Sequence, residues 1–243
     1  MRFPYYGDLL DGLVRQVDAP LLTGVIPRGA LSKADLEFRA ALLMEIARGA
    51  GISEQDILAN YDGEPHERGL LNEPWIQAIL RALDRTPAGD RSIDRFTRDV
   101  YAYLTFPGIR AQVDDTVRAL LQDGPAVVVS HSLGSVVAYN VLANAPASLD
   151  VKLFVTVGSP LGIRTVRTRA ARPLAVPSCA SEWFNAFDPR DVVSLFPLDS
   201  TYFPTEKPIE NYNRVNNHTD NRHGIDGYLD DVVVARHIHD ALI

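Results

Sequence analysis

The chain contains a single cysteine, Cys179, among its 243 residues. An intrachain disulfide is therefore excluded, which is typical of proteins that fold in a reducing compartment. No apolar run approaches membrane-spanning length, and the N-terminus has no charged segment leading into an apolar core. We therefore expect a soluble, cytoplasmic protein without a membrane span.

The chain also has no surplus of positive charge. Its formal net charge is −7, and its Arg and Lys residues form no dense basic block, which argues against a nucleic-acid partner. No Gly-x-Gly-x-x-Gly follows a predicted strand, no Gly-Lys-Ser/Thr phosphate loop is present, and no motif supplies a set of metal ligands. We therefore expect neither a cofactor nor a metal ion.

Strand and helix patterns alternate in the second half of the chain. The apolar and β-branched runs at 126–129, 151–157 and 182–187 predict strands, and residues 133–143 between the first two predict a helix. Such alternation with short links indicates a parallel sheet with helices on both faces. With 46% hydrophobic residues, the chain can form one core, and we predict a single α/β domain over 1–243.

Helical periodicity dominates the stretch between Gly29 and Phe106, which we interpret as a covering layer or lid. The remaining predictions are a strand at 1–6 closed by Gly7 and a last helix from about Gly227 to the C-terminus. We expect four residues of that helix to face inward: Tyr228, Val232, Ala235 and Leu242. The helices predicted before residue 126 start near Ser32, Ser53, Pro74, Asp90 and Gly108.

The valines at 127–129 end in a tight Ser130-His131-Ser132-Leu133-Gly134 turn that leads directly into the predicted helix. This pattern predicts a nucleophile elbow, in which a sharp strand-to-helix turn exposes a serine above the end of a buried sheet. Ser132 would then lie at a helix N-terminus, where free N–H groups favour a developing anion. The alternative is an ordinary strand-turn-helix corner with an idle serine.

A reactive serine needs a base to take its proton and a carboxylate to orient that base. Downstream of the 182–187 strand lie Asp188 and Asp191. We predict Asp191 as the acid, because the turn through Pro189 carries it past the strand end, and keep Asp188 as the substitute. Either residue alone is also a common capping or turn residue.

Four histidines follow these carboxylates. His223 lies in a loop just before the last helix and is the predicted base, with His218 in the same polar loop as the alternative. His237 and His239 belong to the last helix, where an i,i+2 spacing points them apart, so we interpret them as surface or rim residues. His131 adjoins Ser132 and is expected to pack under or beside the turn.

Four segments resemble bacterial α/β-hydrolases of the lipase/esterase type, including relatives of the lecithin-acyltransferase and GPI-inositol-deacylase groups. They are 130–134, 155–162, 183–193 and 223–229, which agree in order and spacing over roughly the C-terminal half. The resemblance implies an α/β-hydrolase-like fold, with Ser132 as nucleophile, Asp191 as acid and His223 as base.

Residues 4–10 also resemble such proteins, in a part that normally follows a first strand ending in His-Gly. The loop after that strand donates the second N–H of the oxyanion hole in the family, and no such strand precedes Tyr5 here. The Leu133 N–H is the predicted first donor. Three explanations of the second donor stay open: a partner chain or second copy supplies the strand, the true start lies upstream, or another loop such as that around Gly7 replaces it. We expect the first or the second, because the sequence begins inside the predicted domain.

These observations lead us to expect a serine hydrolase that cleaves a carboxylic ester of a small-molecule acyl substrate through an acyl-enzyme. A thioesterase or peptidase would use the same three residues. A non-catalytic binding or regulatory subunit with this fold is the alternative from another class. Contact between the side chains of Ser132, Asp191 and His223 favours an enzyme, and their separation favours a binding module.

Overall fold

The computed structural model places most of the described residues in helices and a parallel sheet. It describes residues 2, 4, 6–13, 33–63, 73–84, 92–121, 124–220 and 222–243. In these ranges no helix combines the length and the apolarity needed to cross a membrane.

In the described ranges, helices come first along the chain, and strands begin at residue 126. Residues 7–13 form helix α1. The other helices before the sheet are α2 (Lys33–Gly49), α3 (Glu54–Leu58), α4 (Glu73–Asp84), α5 (Ser92–Thr105) and α6 (Pro107–Arg118). The second half contains β1 (Ala126–His131), α7 (Leu133–Ala143), β2 (Val151–Val157), a 3-10 turn (Pro160–Gly162), α8 (Arg164–Arg167), β3 (Ala180–Ala186), β4 (Glu210–Tyr212), α9 (Asp226–Leu229) and α10 (Val232–Asp240).

The four described strands form one sheet in the order β1-β2-β3-β4, and every neighbouring pair is parallel. His131 at the end of β1 is in register with Val157 of β2, which is in register with Ala186 of β3. The carboxyl ends of three strands therefore meet at one edge. The loops that follow these strands are consequently brought together there.

The sheet is covered by helices on both faces, as the alternation of strand and helix predicts. Val155 and Val157 of β2 point to one face and pack with Tyr228 and Val234 of the two C-terminal helices. Phe154 points to the other face, in a core that also includes buried residues of α2, α4, α5, α6 and α7. Successive residues of a strand face opposite sides of a sheet, so one strand contributes to both cores.

Helices α2, α4 and α5 lie within the stretch predicted as covering layer or lid. Leu42, Ile79 and Val100, one from each, are fully buried in the same core as α7. The N-terminus of α3 is fixed by a capping box, in which Ser53 and Asp56 satisfy each other's backbone N–H groups. These described helices therefore cover one face of the sheet.

Two predictions about the chain ends are wrong. The predicted strand at 1–6 is absent at the described residues 2, 4 and 6, and the first regular element is the helix 7–13. The predicted last helix is interrupted between Leu229 and Val232, where Asp231 caps a new helix by accepting from two N–H groups. This restart changes the inward face: Val234 is buried, whereas Val232 and Leu242 are 68% and 67% exposed and Ala235 is also exposed.

Candidate functional site

The turn between β1 and α7 has the geometry of an elbow. Ser132 has φ 52° and ψ −130°, a positive φ that non-glycine residues rarely adopt. The strand partner helps to hold this conformation, because the Ser132 N–H donates to the Val157 carbonyl over 3.1 Å. Backbone strain of this kind persists where the surrounding structure fixes it, often at functional sites.

Three of the residues singled out in the sequence form one hydrogen-bonded chain at this turn. The Ser132 hydroxyl oxygen lies 2.7 Å from His223 Nε2, and His223 Nδ1 lies 2.7 Å from Asp191 Oδ2. Because a carboxylate only accepts hydrogen bonds, Nδ1 is the donor to Asp191 and Nε2 is left to accept the serine proton. The Asp191 side chain is fully buried and that of His223 is 15% exposed.

The Asp191 carboxylate accepts three further hydrogen bonds. Tyr228 and Ser194 donate their hydroxyls to Oδ2 over 2.6 and 3.0 Å, and the Val193 N–H donates to Oδ1 over 3.0 Å. A buried carboxylate is stable only when such donors replace its water. Burial and the nearby charge of Asp191 raise the pKa of Tyr228, so its phenol keeps the proton that it donates.

The loop carrying His223 is held by two side chains that precede the histidine in sequence, those of Asn217 and Thr219. The Asn217 amide donates to the Gly224 carbonyl over 2.8 Å, and the Gly224 N–H donates to the Thr219 hydroxyl over 3.0 Å. Arg222, just before the histidine, has φ 53°. A methyl group on Gly227 would lie 2.2 Å from Asn217 Oδ1, so any residue larger than glycine would displace the Asn217 side chain.

The second carboxylate, Asp188, lies beside this site but does not contact His223. It accepts two hydrogen bonds from the Arg190 guanidinium, at 3.0 and 2.9 Å, and one from the Asn217 N–H at 2.8 Å. Burial acts to raise the pKa of Asp188, but the hydrogen bonds from Arg190 and Asn217 outweigh it and leave that pKa lowered. Asp188 thus joins the loop after β3 to the loop that carries His223.

The remaining histidines after β3 lie away from the elbow. His218 is exposed and lies 3.5 Å from Asp230. His237 stacks on Phe184, with ring centroids 3.9 Å apart, and lies 3.3 Å from Glu210. His239 is exposed at the end of α10. The loop position of His223 is therefore the one that reaches the serine.

His131, next to the serine, packs beside the turn. Its Nε2 donates to the His223 carbonyl over 2.7 Å, and the two rings lie 4.7 Å apart. Burial, together with the neighbouring His223, lowers the pKa of His131 to about 3. His131 is consequently neutral at physiological pH and supports the backbone of the loop.

The serines around the elbow have structural partners. Ser135 donates to the Ser132 carbonyl over 2.6 Å and lies 2.7 Å from the Ser159 hydroxyl. Ser159 also accepts from the Leu161 N–H. Gly158, at the end of β2, has φ 57°, and a methyl group there would lie 3.3 Å from Asp191 Oδ2. The tight turn of residues 158–162 thus packs against the site.

Two aromatic residues from the N-terminal half approach the site. The Phe96 ring of α5 meets the His223 ring edge-on, with centroids 6.2 Å apart. The Tyr6 hydroxyl lies 3.1 Å from the position of a methyl group built on Gly134. The sequence pattern predicted Tyr228 only to face inward, and Phe96 lies in the helix predicted to start near Asp90, so neither residue was predicted to contact the site.

No group of three or more His, Cys, Asp or Glu in the described ranges could hold a metal ion. Comparison with protein-family models, with curated proteins and with solved structures gives no match for this chain. The site is therefore interpreted from its own geometry.

Proposed function

We propose that this protein is a serine hydrolase that cleaves a carboxylic ester through an acyl-enzyme intermediate. The observation that carries the proposal is the continuous chain from the Ser132 hydroxyl through His223 to buried Asp191, with 2.7 Å at each step. A hydroxyl becomes nucleophilic when a base accepts its proton and a third group orients that base. These three residues are thus the proposed catalytic triad.

In the first half-reaction, His223 Nε2 accepts the Ser132 proton as Oγ attacks the ester carbonyl carbon. The carbonyl π electrons move to oxygen and form an oxyanion, to which the Leu133 N–H at the N-terminus of α7 donates. Collapse of this tetrahedral intermediate breaks the bond to the alcohol oxygen. The imidazolium gives its proton to that oxygen, and the alcohol leaves.

In the second half-reaction, water replaces the alcohol. His223 takes a proton from the water as its oxygen attacks the acyl carbon, and then returns the proton to Ser132 Oγ as the acid is released. Asp191 stays ionised throughout, holds Nδ1–H in place and stabilises the imidazolium. The Ser132 proton therefore leaves with the alcohol, a proton from water replaces it on Oγ, and each half-reaction ends with His223 neutral.

The fold is compatible with an α/β-hydrolase-like architecture. Its sheet is parallel, the proposed nucleophile follows β1, and the proposed acid follows β3 on the same edge. Phe96 brings α5 over the imidazole of His223, which supports a role for α5 as part of a lid over the acyl pocket. Thioester and peptide substrates would use the same three residues.

The alternative of a non-catalytic binding subunit requires no contact among these side chains. The hydrogen-bonded arrangement favours an enzyme, because a binding module has no need of a base aligned with a strained serine.

The first experiment is reaction of the folded protein with a fluorophosphonate probe, followed by peptide mass spectrometry. We expect the label on Ser132, no label in Ser132→Ala, and normal labelling in Ser200→Ala, which changes an exposed serine. Label on another residue, or no label on folded protein, would refute the proposal.

The substrate class is tested with p-nitrophenyl esters of increasing acyl length. We expect Ser132→Ala and His223→Ala to lose turnover by about 10⁴-fold or more while retaining the circular dichroism of the unmodified protein. Faster hydrolysis of thioesters or peptides by the same serine would instead assign one of the alternative substrates.

A further inference from the structure

The proposed oxyanion hole has one donor from the elbow, the Leu133 N–H. Serine hydrolases usually direct two donors at the developing oxyanion, and loss of one costs about 10²- to 10³-fold in kcat. The Ser135 N–H, one turn on, already donates to the Ser132 carbonyl. A donor from outside the elbow that reaches the first turn of α7 would complete the pair.

The Tyr6 hydroxyl lies at that turn. The Tyr6 carbonyl accepts from the Leu10 N–H over 2.8 Å, which fixes residue 6 at the start of α1, and its side chain packs on the core that contains α7. A methyl group built on Gly134 would lie 3.1 Å from the hydroxyl oxygen, and among the described residues outside this part of α7 no other atom lies within 4 Å of that methyl position. Glycine at 134 thus leaves open the space between the phenol and the helix.

The phenol is available as a donor. In the part of the chain that the structure describes, the Tyr6 hydroxyl has no hydrogen-bond partner, and its oxygen is not fully buried. Burial, and then the charge of Asp99 on α5, raise the pKa of Tyr6, so the hydroxyl stays protonated at neutral pH. The group therefore has a proton to donate to an incoming anion.

An oxyanion bound to a carbon on Ser132 Oγ, and accepting from the Leu133 N–H, lies over the first turn of α7. We propose that the Tyr6 O–H is the second donor of the oxyanion hole and, with Leu133, stabilises the tetrahedral intermediate. This inference rests on the proposed function.

The test compares Tyr6→Phe with Tyr212→Phe, a control on the opposite core. We expect Tyr6→Phe to lower kcat for p-nitrophenyl esters by about 10²- to 10³-fold with KM changed only a few-fold, because the donor acts on the oxyanion and not on the ground-state ester. A trifluoromethyl ketone, which forms a tetrahedral adduct with the serine, should bind more weakly by a similar factor. Tyr212→Phe should resemble the unmodified protein in all three quantities.

A double-mutant cycle with Gly134→Ala makes the test independent of the stability of Tyr6→Phe. Among the described residues outside this part of α7, the added methyl contacts only the Tyr6 hydroxyl, so Gly134→Ala should lower kcat in the unmodified protein and have little effect when residue 6 is Phe. A Tyr6→Phe enzyme whose kcat stays within threefold, or additive effects of the two substitutions, would overturn the inference.

The two proposals fail differently. An unmodified protein that neither reacts with the fluorophosphonate at Ser132 nor hydrolyses esters overturns the proposed function, and with it the role of Tyr6. A labelled and active protein that is indifferent to Tyr6→Phe overturns the role of Tyr6 alone.

Discussion

Tyr228 and His223 donate hydrogen bonds to the same oxygen of Asp191, Oδ2, over 2.6 and 2.7 Å. Tyr228 is fully buried in the core beneath the sheet edge, and its hydroxyl also lies 3.3 Å from that of Ser194. The shared acceptor links the rigid core to the proposed base. Tyr228 is therefore a positioning residue that acts through Asp191.

Replacing Tyr228 with Phe removes one of the donors that neutralise the Asp191 carboxylate. The remaining charge should then attract the imidazolium of His223 more strongly, so the acid limb of the kcat/KM profile should move to higher pH. We also expect a loss of about 1–3 kcal/mol in the free energy of unfolding, measured in urea, because the hydrogen bond is to a charged group. An unchanged pH profile together with reduced stability would assign Tyr228 a purely structural role.

The substitutions Asp191→Asn and Asp188→Asn distinguish the roles of the two carboxylates after β3. An amide at 191 can donate to Nδ1 and so favour the wrong tautomer of His223, and it has no charge to stabilise the imidazolium, so kcat should fall by about 10⁴-fold while the fold is retained. An amide at 188 loses the charge that pairs with Arg190, so it should lower stability and leave most of the turnover.

The stability deficit of Asp188→Asn has a defined pH dependence. The pKa of Asp188 is lowered in the folded protein, so its stabilising effect is present above the ordinary carboxyl pKa of about 3.9 and is lost as the pH falls below it. Urea unfolding at pH 7 and pH 3 should therefore show a smaller difference between variant and unmodified protein at pH 3. If Asp188→Asn lost more turnover than Asp191→Asn, then Asp188 rather than Asp191 would be the acid of the triad.

Gly158→Ala should damage the site as well as the fold. The position has φ 57°, and the new methyl would lie 3.0 Å from Tyr228 Cε2 and 3.3 Å from Asp191 Oδ2. We expect lower stability, by about 1–2 kcal/mol from the backbone alone, and a loss of kcat. Gly51→Ala is the matched control, because φ there is 74° but nothing lies within 4 Å of the methyl. It should lose stability and keep kcat; equal kcat in both variants would contradict this prediction.

His131 should make the protein less stable as the pH falls. Its pKa is about 3 in the folded state against an ordinary value of 6.5, so between these values the unfolded chain binds a proton that the folded protein does not. The free energy of unfolding should consequently decrease as the pH drops through this window, by up to about 1.4 kcal/mol per pH unit from this residue. Below pH 3 the residue adds no further slope.

His131→Gln tests this, because the Gln amide can still donate to the His223 carbonyl but does not titrate. The variant should show a shallower loss of stability in denaturant unfolding between pH 6.5 and 3. His239→Gln changes an exposed histidine and should leave the slope unaltered. If the free energy of unfolding fell equally steeply with pH in His131→Gln and in the unmodified protein, His131 would not be the source of this pH dependence.

Elements with strong local patterns could be predicted closely from the sequence. Helix α7 and strand β2 have the predicted bounds, because valine-rich strands and an apolar helix carry their periodicity within a few residues. Strand β4 was not predicted, since Glu210–Tyr212 is three residues long and has too few positions to show alternation. The break before α10 was missed because Asp231, a good N-cap, lies within an otherwise helical pattern.

The sequence by itself determined the elbow, the order of the candidate residues and the parallel α/β class, because each depends on spacing between near neighbours. Tertiary structure alone decided that Asp191 rather than Asp188, and His223 rather than His218, lies next to Ser132. That choice depends on loops whose course is set by contacts between residues far apart in sequence, such as Asn217 with Asp188 (29 residues apart) and His223 with Ser132 (91 residues apart). Tertiary structure also brought Tyr6 to the first turn of α7. Local spacing does not encode this contact, because it forms only when the two halves of the chain pack together.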